Sequence, residues 1–414
     1  MEHEAVIRQC IAERLGGADF GLSKAIYKFE KIKRAKRAAQ KENPGIELLD
    51  MGVGEPDDMA DALVRDRLKL EVDQLENRGY TDNGIVEFKD AAAGYMSRVF
   101  GVEGIEPETD VLHCIGAKSA LSMLPAVLIN PGDVVLMTTP GYPVFATHAA
   151  WYGAEIINLP LLEENGFLPD VDAVSEEIWK RTKAMVVNYP NNPTGAVAGR
   201  DFFERLIQLA KRHCFIVLHD AAYAALRFDG KPFSFLSVPG AKDVGLELHS
   251  LSKSYNMTGW RIGFVAGNPL LVNAFGSIKD NSDSGQFAAI QKAAMVGLQH
   301  PEITERITEK YSRRMDLLVD ALNLAGFRAR KPKGSFFLYV SSPKACRGGD
   351  LPLDSAEAAS QFLIKQAWVS TVPWDDAGAY LRFSVTFQAR GGEVEERRVI
   401  GELGQRLAKL DLVF

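Results

Sequence analysis

Between Val111 and Ala266, short unbroken apolar runs alternate with longer segments in which apolar residues recur every three or four positions. The runs are Val111–Ile115, Val134–Met137, Glu155–Leu159, Ala184–Asn188, Phe215–Leu218, Gly245–His249 and Ile262–Ala266. Runs this short, rich in β-branched residues and separated by helical patterns, suit strands covered on both faces. A helix is expected from about Lys118 to Ile129, after the first run. Another is expected over Asp201–His213, where Phe202, Phe203, Leu206, Ile207, Leu209 and Ala210 share one arc. The pattern therefore predicts an α/β domain spanning residues 51–290, with a mostly parallel seven-stranded sheet between helices.

After Pro301 the periodicity changes. A long helix, Glu302 to Ala325, should stop at Gly326, and Ser335–Val340 and Leu381–Val385 read as strands flanking a helix over Ser355–Gln366. Residues 291–414 are thus expected to form a smaller α+β domain. Residues 1–50 should form an arm and helix packing with it. The basic run Lys28–Arg37 reads as the solvated face of that helix, with Ile32 and the alanines opposite.

Composition narrows the function more than the fold. The 414 residues carry a net charge of -6 with 25% charged positions, and no basic stripe dominates a segment, which argues against nucleic-acid binding. Cys10, Cys114, Cys214 and Cys346 form no C-x-x-C pair and read as reduced thiols. The seven histidines show no metal-ligand spacing, so no metal is expected; His219, beside an acid, could tune it. The N-terminus lacks the layout of a signal peptide and no apolar run reaches membrane-spanning length, so a cytoplasmic location away from membranes is expected.

In open α/β sheets ligands gather at the carboxyl ends of the strands, and the residues there are consistent with one another. Gly116, Ala117 and Lys118 open a helix whose free N–H groups suit a phosphate. Tyr142 offers a ring that can stack on a heterocycle. Asn192 heads an N-P-T-G turn, Asp220 and Tyr223 follow the fifth run, and Ser250, Ser252, Lys253 and Arg261 follow the sixth. Singly, Asp220 could cap a loop, Asn192 could only turn the chain and Tyr142 could be core. Jointly they are the parts of a pyridoxal 5'-phosphate site. Lys253 would form a Schiff base and move the proton, while Asp220 would keep the pyridine nitrogen protonated. Tyr223 and Asn192 would hydrogen-bond the ring oxygen. Arg261, Ser250, Ser252 and the helix amides would hold the phosphate.

The motifs N-N-P-T-G, D-A-A-Y and S-L-S-K-S-Y-N-M-T-G-W-R-I-G, in that order, make the chain resemble the fold-type I, class I/II aminotransferases over nearly its full length. The resemblance implies a homodimer with shared active sites, Tyr80 reaching the neighbour's phosphate. It also implies that Arg382 grips the substrate α-carboxylate, with Asn192 beside it, and that Gly54 lets a backbone approach the substrate. Within the family the likeness is nearest to the branch acting on LL-diaminopimelate, glutamate and 2-oxoglutarate. It is carried by Gly116-Ala117-Lys118, the Tyr27–Ile32 arm and the lysine loop. Lys28 departs from the usual leucine of that arm, and the loop Tyr80–Gly84 is one residue shorter than the plant-type loop bearing a substrate-reading glutamate. Asp82 is expected in that role.

Diaminopimelate ends in a second ammonium and carboxylate, so its pocket needs an anion and donors opposite Arg382. Asp82, Lys118, Tyr27 and Ser284 are the candidates; an exposed turn, a surface charge or core packing explains each equally well. Two other functions remain open on sequence: a broad aspartate, alanine or aromatic aminotransferase, and a β-elimination lyase using the same Lys253 and Asp220. A regulatory protein that binds the cofactor without turnover is disfavoured, because no basic helix-turn-helix segment is appended.

Overall fold

The computed structural model describes residues 2–22, 28–347 and 352–414. Each apolar run becomes a strand: β1 Val111–Cys114, β2 Val134–Thr139, β3 Glu155–Pro160, β4 Thr182–Asn188, β5 Ile216–Asp220, β6 Gly245–Ser250 and β7 Gly263–Gly267. They form one seven-stranded sheet in the order β1-β7-β6-β5-β4-β2-β3. The pairs from β6 to β3 are parallel, whereas β7 runs antiparallel to both of its neighbours. The cause is the connection. A parallel return needs a long crossover, and between β6 and β7 the chain makes only the short helix Leu251–Ser254 and the turn Thr258–Trp260. Lys253 and Arg261 therefore lie in one tight loop beyond the carboxyl end of β6.

Helices cover both faces. Arg200–His213 buries Phe203, Leu206, Ile207, Leu209 and Ala210 on one side. Each large side chain so removed from water stabilises the packing by about 1.5–3 kcal/mol. Ala117–Leu128 seats Leu121, Leu124 and Leu128 on the opposite face, against Leu112, Val135, Leu218, Leu246 and Leu248. The expectation of burial on both faces fails at β3, whose residues are exposed or half-buried along its length. As the outermost strand it has a partner on one side only, and the covering helices do not reach across it.

A second, three-stranded antiparallel sheet holds β8 Phe337–Ser341, β9 Val372–Trp374 and β10 Tyr380–Ser384 in the order β9-β10-β8. The helices Glu302–Leu324, Ala356–Ala367 and Glu393–Ala408 accompany it. Arg382 sits in the central strand, opposite Val372 and Tyr339. The helix Lys28–Glu42 packs Ile32 and Ala39 against Tyr339, Ile364, Val372 and Trp374, and Lys31 pairs with Glu357 at 2.8 Å. Its basic residues Lys33, Arg34 and Arg37 face solvent.

The segment leading into the large sheet is anchored here as well. Leu49–Asp50 pairs in parallel with Val369–Ser370. Fully buried Arg314 donates to Asp57 at 3.0 Å, to Glu396 at 2.9 Å and to the carbonyls of Val385 and Phe387. A buried guanidinium with this many acceptors fixes residues 51–57 against the strand that carries Arg382. Among the described residues, no helix is long and apolar enough to cross a membrane.

Candidate active site

The carboxyl ends of β4, β5 and β6, the turn after β1 and the end of the second sheet enclose a cavity of about 560 Å³. Gly54, Ala117, Lys118, Tyr142, Asn192, Asp220, Tyr223, Ser250, Ser252, Lys253, Arg261 and Arg382 line it, all singled out from sequence. Gly116 stands just behind. At φ +75° it adopts a conformation natural to glycine, and a Cβ there would lie 2.6 Å from an Arg261 Nη. Tyr80 is 87% exposed, and neither it nor exposed Asp82 and Ser284, which are near one another where the 80–84 turn meets Gly285, lines the cavity. Tyr27 lies outside the described residues, as do the side chains of Lys28 and Phe29.

Three residues the sequence reading passed over complete the framework. Asn188, the last residue of β4, donates from Nδ2 to the Asp220 carbonyl at 2.8 Å, and its Oδ1 accepts from the Asn192 N–H at 2.9 Å. Asn192 Oδ1 in turn accepts from Arg382 Nη1 at 2.9 Å, so a hydrogen-bonded chain runs from Asp220 to Arg382. Phe337 lies beneath the Arg382 guanidinium, 4.0 Å from its centre, and edge-on to Tyr223. Glu55, after Gly54, lines a smaller adjoining chamber of about 380 Å³ that shares Gly54, Lys253 and Thr258 with the main cavity.

The lysine loop is built to present polar groups. The Ser250 hydroxyl caps the short helix by accepting from the Ser252 N–H at 3.2 Å, and Thr258 Oγ1 donates to the Ser252 carbonyl at 3.1 Å. Arg261 has φ +57°, uncommon for a side chain of its size. It is held there by Nη1 donating to the Thr258 carbonyl and by Gln286 Nε2 donating to its own carbonyl at 2.9 Å. The strained turn aims the guanidinium at the N-terminus of Ala117–Leu128, whose first amides have no side-chain cap.

Burial shapes the titration of each central group. It lowers Lys253 to about 8, helped by the nearby cations Arg261 and Arg382 and opposed by Glu55 and Asp220. It raises Asp220 to about 6, against the Ala222 N–H and the charges of His219, His249 and Lys253. Burial also raises the Tyr223 phenol, while Arg382 favours its ionisation. Lys253 Nζ donates to the Gly54 carbonyl at 2.7 Å.

The residues fit pyridoxal phosphate. The cradle behind Gly116 leaves space and donors for a phosphate dianion. Among the described residues the Asp220 carboxyl accepts only the Ala222 N–H, at 3.3 Å, and burial makes it retain its proton to an unusually high pH; a pyridinium N–H would favour its ionised form. Arg382 uses Nη1 and Nη2 on Asn192 and the Gly52 carbonyl, whereas its buried Nε has no acceptor among the described residues, which leaves donor capacity for a carboxylate.

Residues 46–401 match the family described as aminotransferase class I and II. The LL-diaminopimelate aminotransferase of Methanocaldococcus jannaschii is 54% identical, over 99% of this chain and all of the relative. The one from Methanococcus maripaludis is 51% identical over the same shares. Among solved structures, substrate-bound BacF from Bacillus subtilis superposes with a TM-score of 0.84 at 32% identity, covering 94% of this chain and 97% of that one. A mutant aspartate aminotransferase from Thermus thermophilus gives 0.83 at 27%, covering 96% and 99%.

Proposed function

The chain belongs to the class I and II aminotransferases, and from that premise we propose that it is a pyridoxal-phosphate enzyme exchanging the amino group of LL-diaminopimelate with 2-oxoglutarate. Two things support the substrate: identity above one half to enzymes named for that reaction across their whole length, and a cavity large enough for an amino acid with a polar far end. The observation that carries the chemistry is the meeting of Lys253, Asp220 and Arg382 in one cavity.

When bound, pyridoxal phosphate supplies an aldehyde carbon and a ring able to withdraw electrons from the substrate Cα. Burial lowers Lys253 to about 8, leaving a substantial neutral fraction at physiological pH, so its Nζ would be able to hold the cofactor's aldehyde carbon, the aldehyde oxygen leaving as water, and to take up the substrate's Cα proton. Asp220 would hold a proton on the ring nitrogen. Tyr223 and the Asn192 amide would donate toward the ring oxygen, and Arg261, Ser250, Ser252 and the Ala117 and Lys118 amides would hold the phosphate. Arg382, braced on Asn192 Oδ1 and stacked over Phe337, would hold the substrate α-carboxylate in a fixed orientation in the cavity that Lys253 also lines.

Substrate discrimination we assign to the rim. Lys118 offers a cation to the distal carboxylate. Tyr80, exposed in one chain, would reach the phosphate in the cavity of a second copy in a homodimer, and exposed Asp82 and Ser284 would read the distal end of the substrate. The test is to incubate the protein with LL-diaminopimelate and 2-oxoglutarate, trap the cyclic imine product with o-aminobenzaldehyde and repeat with the meso isomer. Product from the LL isomer is expected. Turnover of aspartate or phenylalanine with none of diaminopimelate would replace this reading with a broad-specificity transaminase.

A further inference from the structure

On the face of the sheet turned away from the cavity, three titratable side chains are sealed together. Glu247 of β6, fully buried, accepts from Ser234 Oγ at 2.8 Å and meets His249 Nε2 at 2.6 Å and His219 Nδ1 at 3.0 Å. His219, 1% exposed, turns its Nε2 to the carbonyl of Tyr189 at 2.9 Å. A carbonyl oxygen can only accept, so Nε2 carries a hydrogen. An ionised carboxylate can also only accept, so Nδ1 carries one too. Burial works to raise the pKa of Glu247, yet its hydrogen bonds and the charges of the two imidazoles outweigh that and leave it below the usual carboxylate range. The geometry thus requires one proton more than a neutral histidine would bring.

His219 and Asp220 are consecutive on β5, so their side chains leave opposite faces of the sheet while their backbones adjoin. The imidazole also ties three strand ends together. Tyr189 follows β4, with Asn188 and Asn192 around it; His219 is on β5 beside Asp220; Glu247 is on β6, which leads to Ser250 and Lys253. The surroundings add little competing charge. Phe203 and Phe235 pack on His219, Arg227 turns to Asp229, and His249 stacks on Phe264 at 4.8 Å with Tyr95 and Phe100 beside it. On the cavity side the facing cation is Lys253.

We propose that Glu247 holds His219 as an imidazolium, and that His219 is a positioning residue whose fixed charge keeps Asp220 ionised against the cofactor's ring nitrogen. The inference rests on the reading of the cavity as a pyridoxal-phosphate site. Its readout is the proton balance at that site, not turnover.

Glu247→Gln tests it with little change of shape. Glutamine still accepts from Ser234 and His249 and donates from Nε2 to His219 Nδ1, leaving that ring neutral in the same place. The variant removes the adjacent positive charge together with the more distant negative one, and because the adjacent charge acts on Asp220 more strongly, Asp220 retains its own proton more readily and holds the ring nitrogen's proton less well. The lysine-linked nitrogen then becomes more basic. The pH midpoint of the bound cofactor's visible absorbance should rise by about half a unit or more, and affinity of the cofactor-free protein for pyridoxal phosphate should fall several-fold. A role confined to packing would lower the melting temperature without moving the midpoint, and an unmoved midpoint in a folded variant overturns the proposal. Neutron diffraction from the unaltered holoenzyme gives a second reading that needs no variant: deuterium on both ring nitrogens of His219 is expected, and deuterium on only one overturns it. If the unaltered protein develops no visible band with pyridoxal phosphate, the cofactor reading itself falls, and this inference with it.

Discussion

The floor of the cavity and its rim obey different rules. On the floor, Asn188, Asp220 and Ser250 end adjacent strands, so the register of the sheet sets their spacing, and burial raises the Asp220 carboxyl to about 6 and lowers the Lys253 amine to about 8. At the rim proposed above, Lys118, Tyr80, Asp82 and Ser284 face solvent on helix starts and turns. The floor is pre-organised by one chain for chemistry common to all its substrates. On the reading proposed above, the rim is where substrates are told apart.

Replacing floor residues should therefore affect every substrate, and replacing rim residues only some. The largest effect is expected for Lys253→Ala, which should reduce turnover on the order of 10⁴-fold with any amino donor and abolish the cofactor's lysine-linked absorbance. Normal activity in single-turnover assays would remove Lys253 from the mechanism. Arg382→Lys should lower kcat/KM about 100-fold for amino and oxo acids alike, because a point charge cannot reproduce the fork over Asn192 and the carboxylate. A loss restricted to one partner would place the α-carboxylate elsewhere.

Asp220→Asn separates chemistry from stability. The native carboxyl titrates near 6, above its ordinary 3.8, so its contribution to stability is complete below about pH 4 and lost as pH rises through 6. The cofactor-free variant should consequently be more stable than its parent at pH 8, by up to about 3 kcal/mol, and equal to it at pH 4, while binding pyridoxal phosphate less tightly. Denaturant unfolding at the two pH values checks the sign. The smallest effects belong to the rim. Lys118→Ala should raise KM for diaminopimelate roughly 10-fold with kcat little changed, and Asp82→Asn should alter it only a few-fold. Equal losses with alanine as donor would show that these residues are not selective.

The same division explains what was legible in the sequence. Asp220, Tyr223, Lys253 and Arg261 could be read because each lies within a few residues of an apolar run that announces a strand, and ligands collect where strands end. Asn188 sat inside such a run and read as its boundary, although it joins Asp220 to Asn192. Phe337 passed as core because nothing local distinguishes a ring under a guanidinium from a ring in a hydrophobic layer. The helices Val86–Phe100 and Glu393–Ala408 went unread, their apolar stripes being diluted by alanine, glycine and charge. His219 could be linked to Asp220 by adjacency alone, but only the tertiary structure brings Glu247 and Tyr189 to its two nitrogens.

One ribbon of backbone, residues 51–57, carries a further consequence. It is pinned at its start to Val369–Ser370 and at its end to Arg314, it receives Arg382 on the Gly52 carbonyl, and two residues later it receives Lys253 on the Gly54 carbonyl. The side chain proposed to hold the carboxylate and the one proposed as nucleophile thus hydrogen-bond to one ribbon two residues apart, so a substitution that displaced residues 51–57 would disturb both at once.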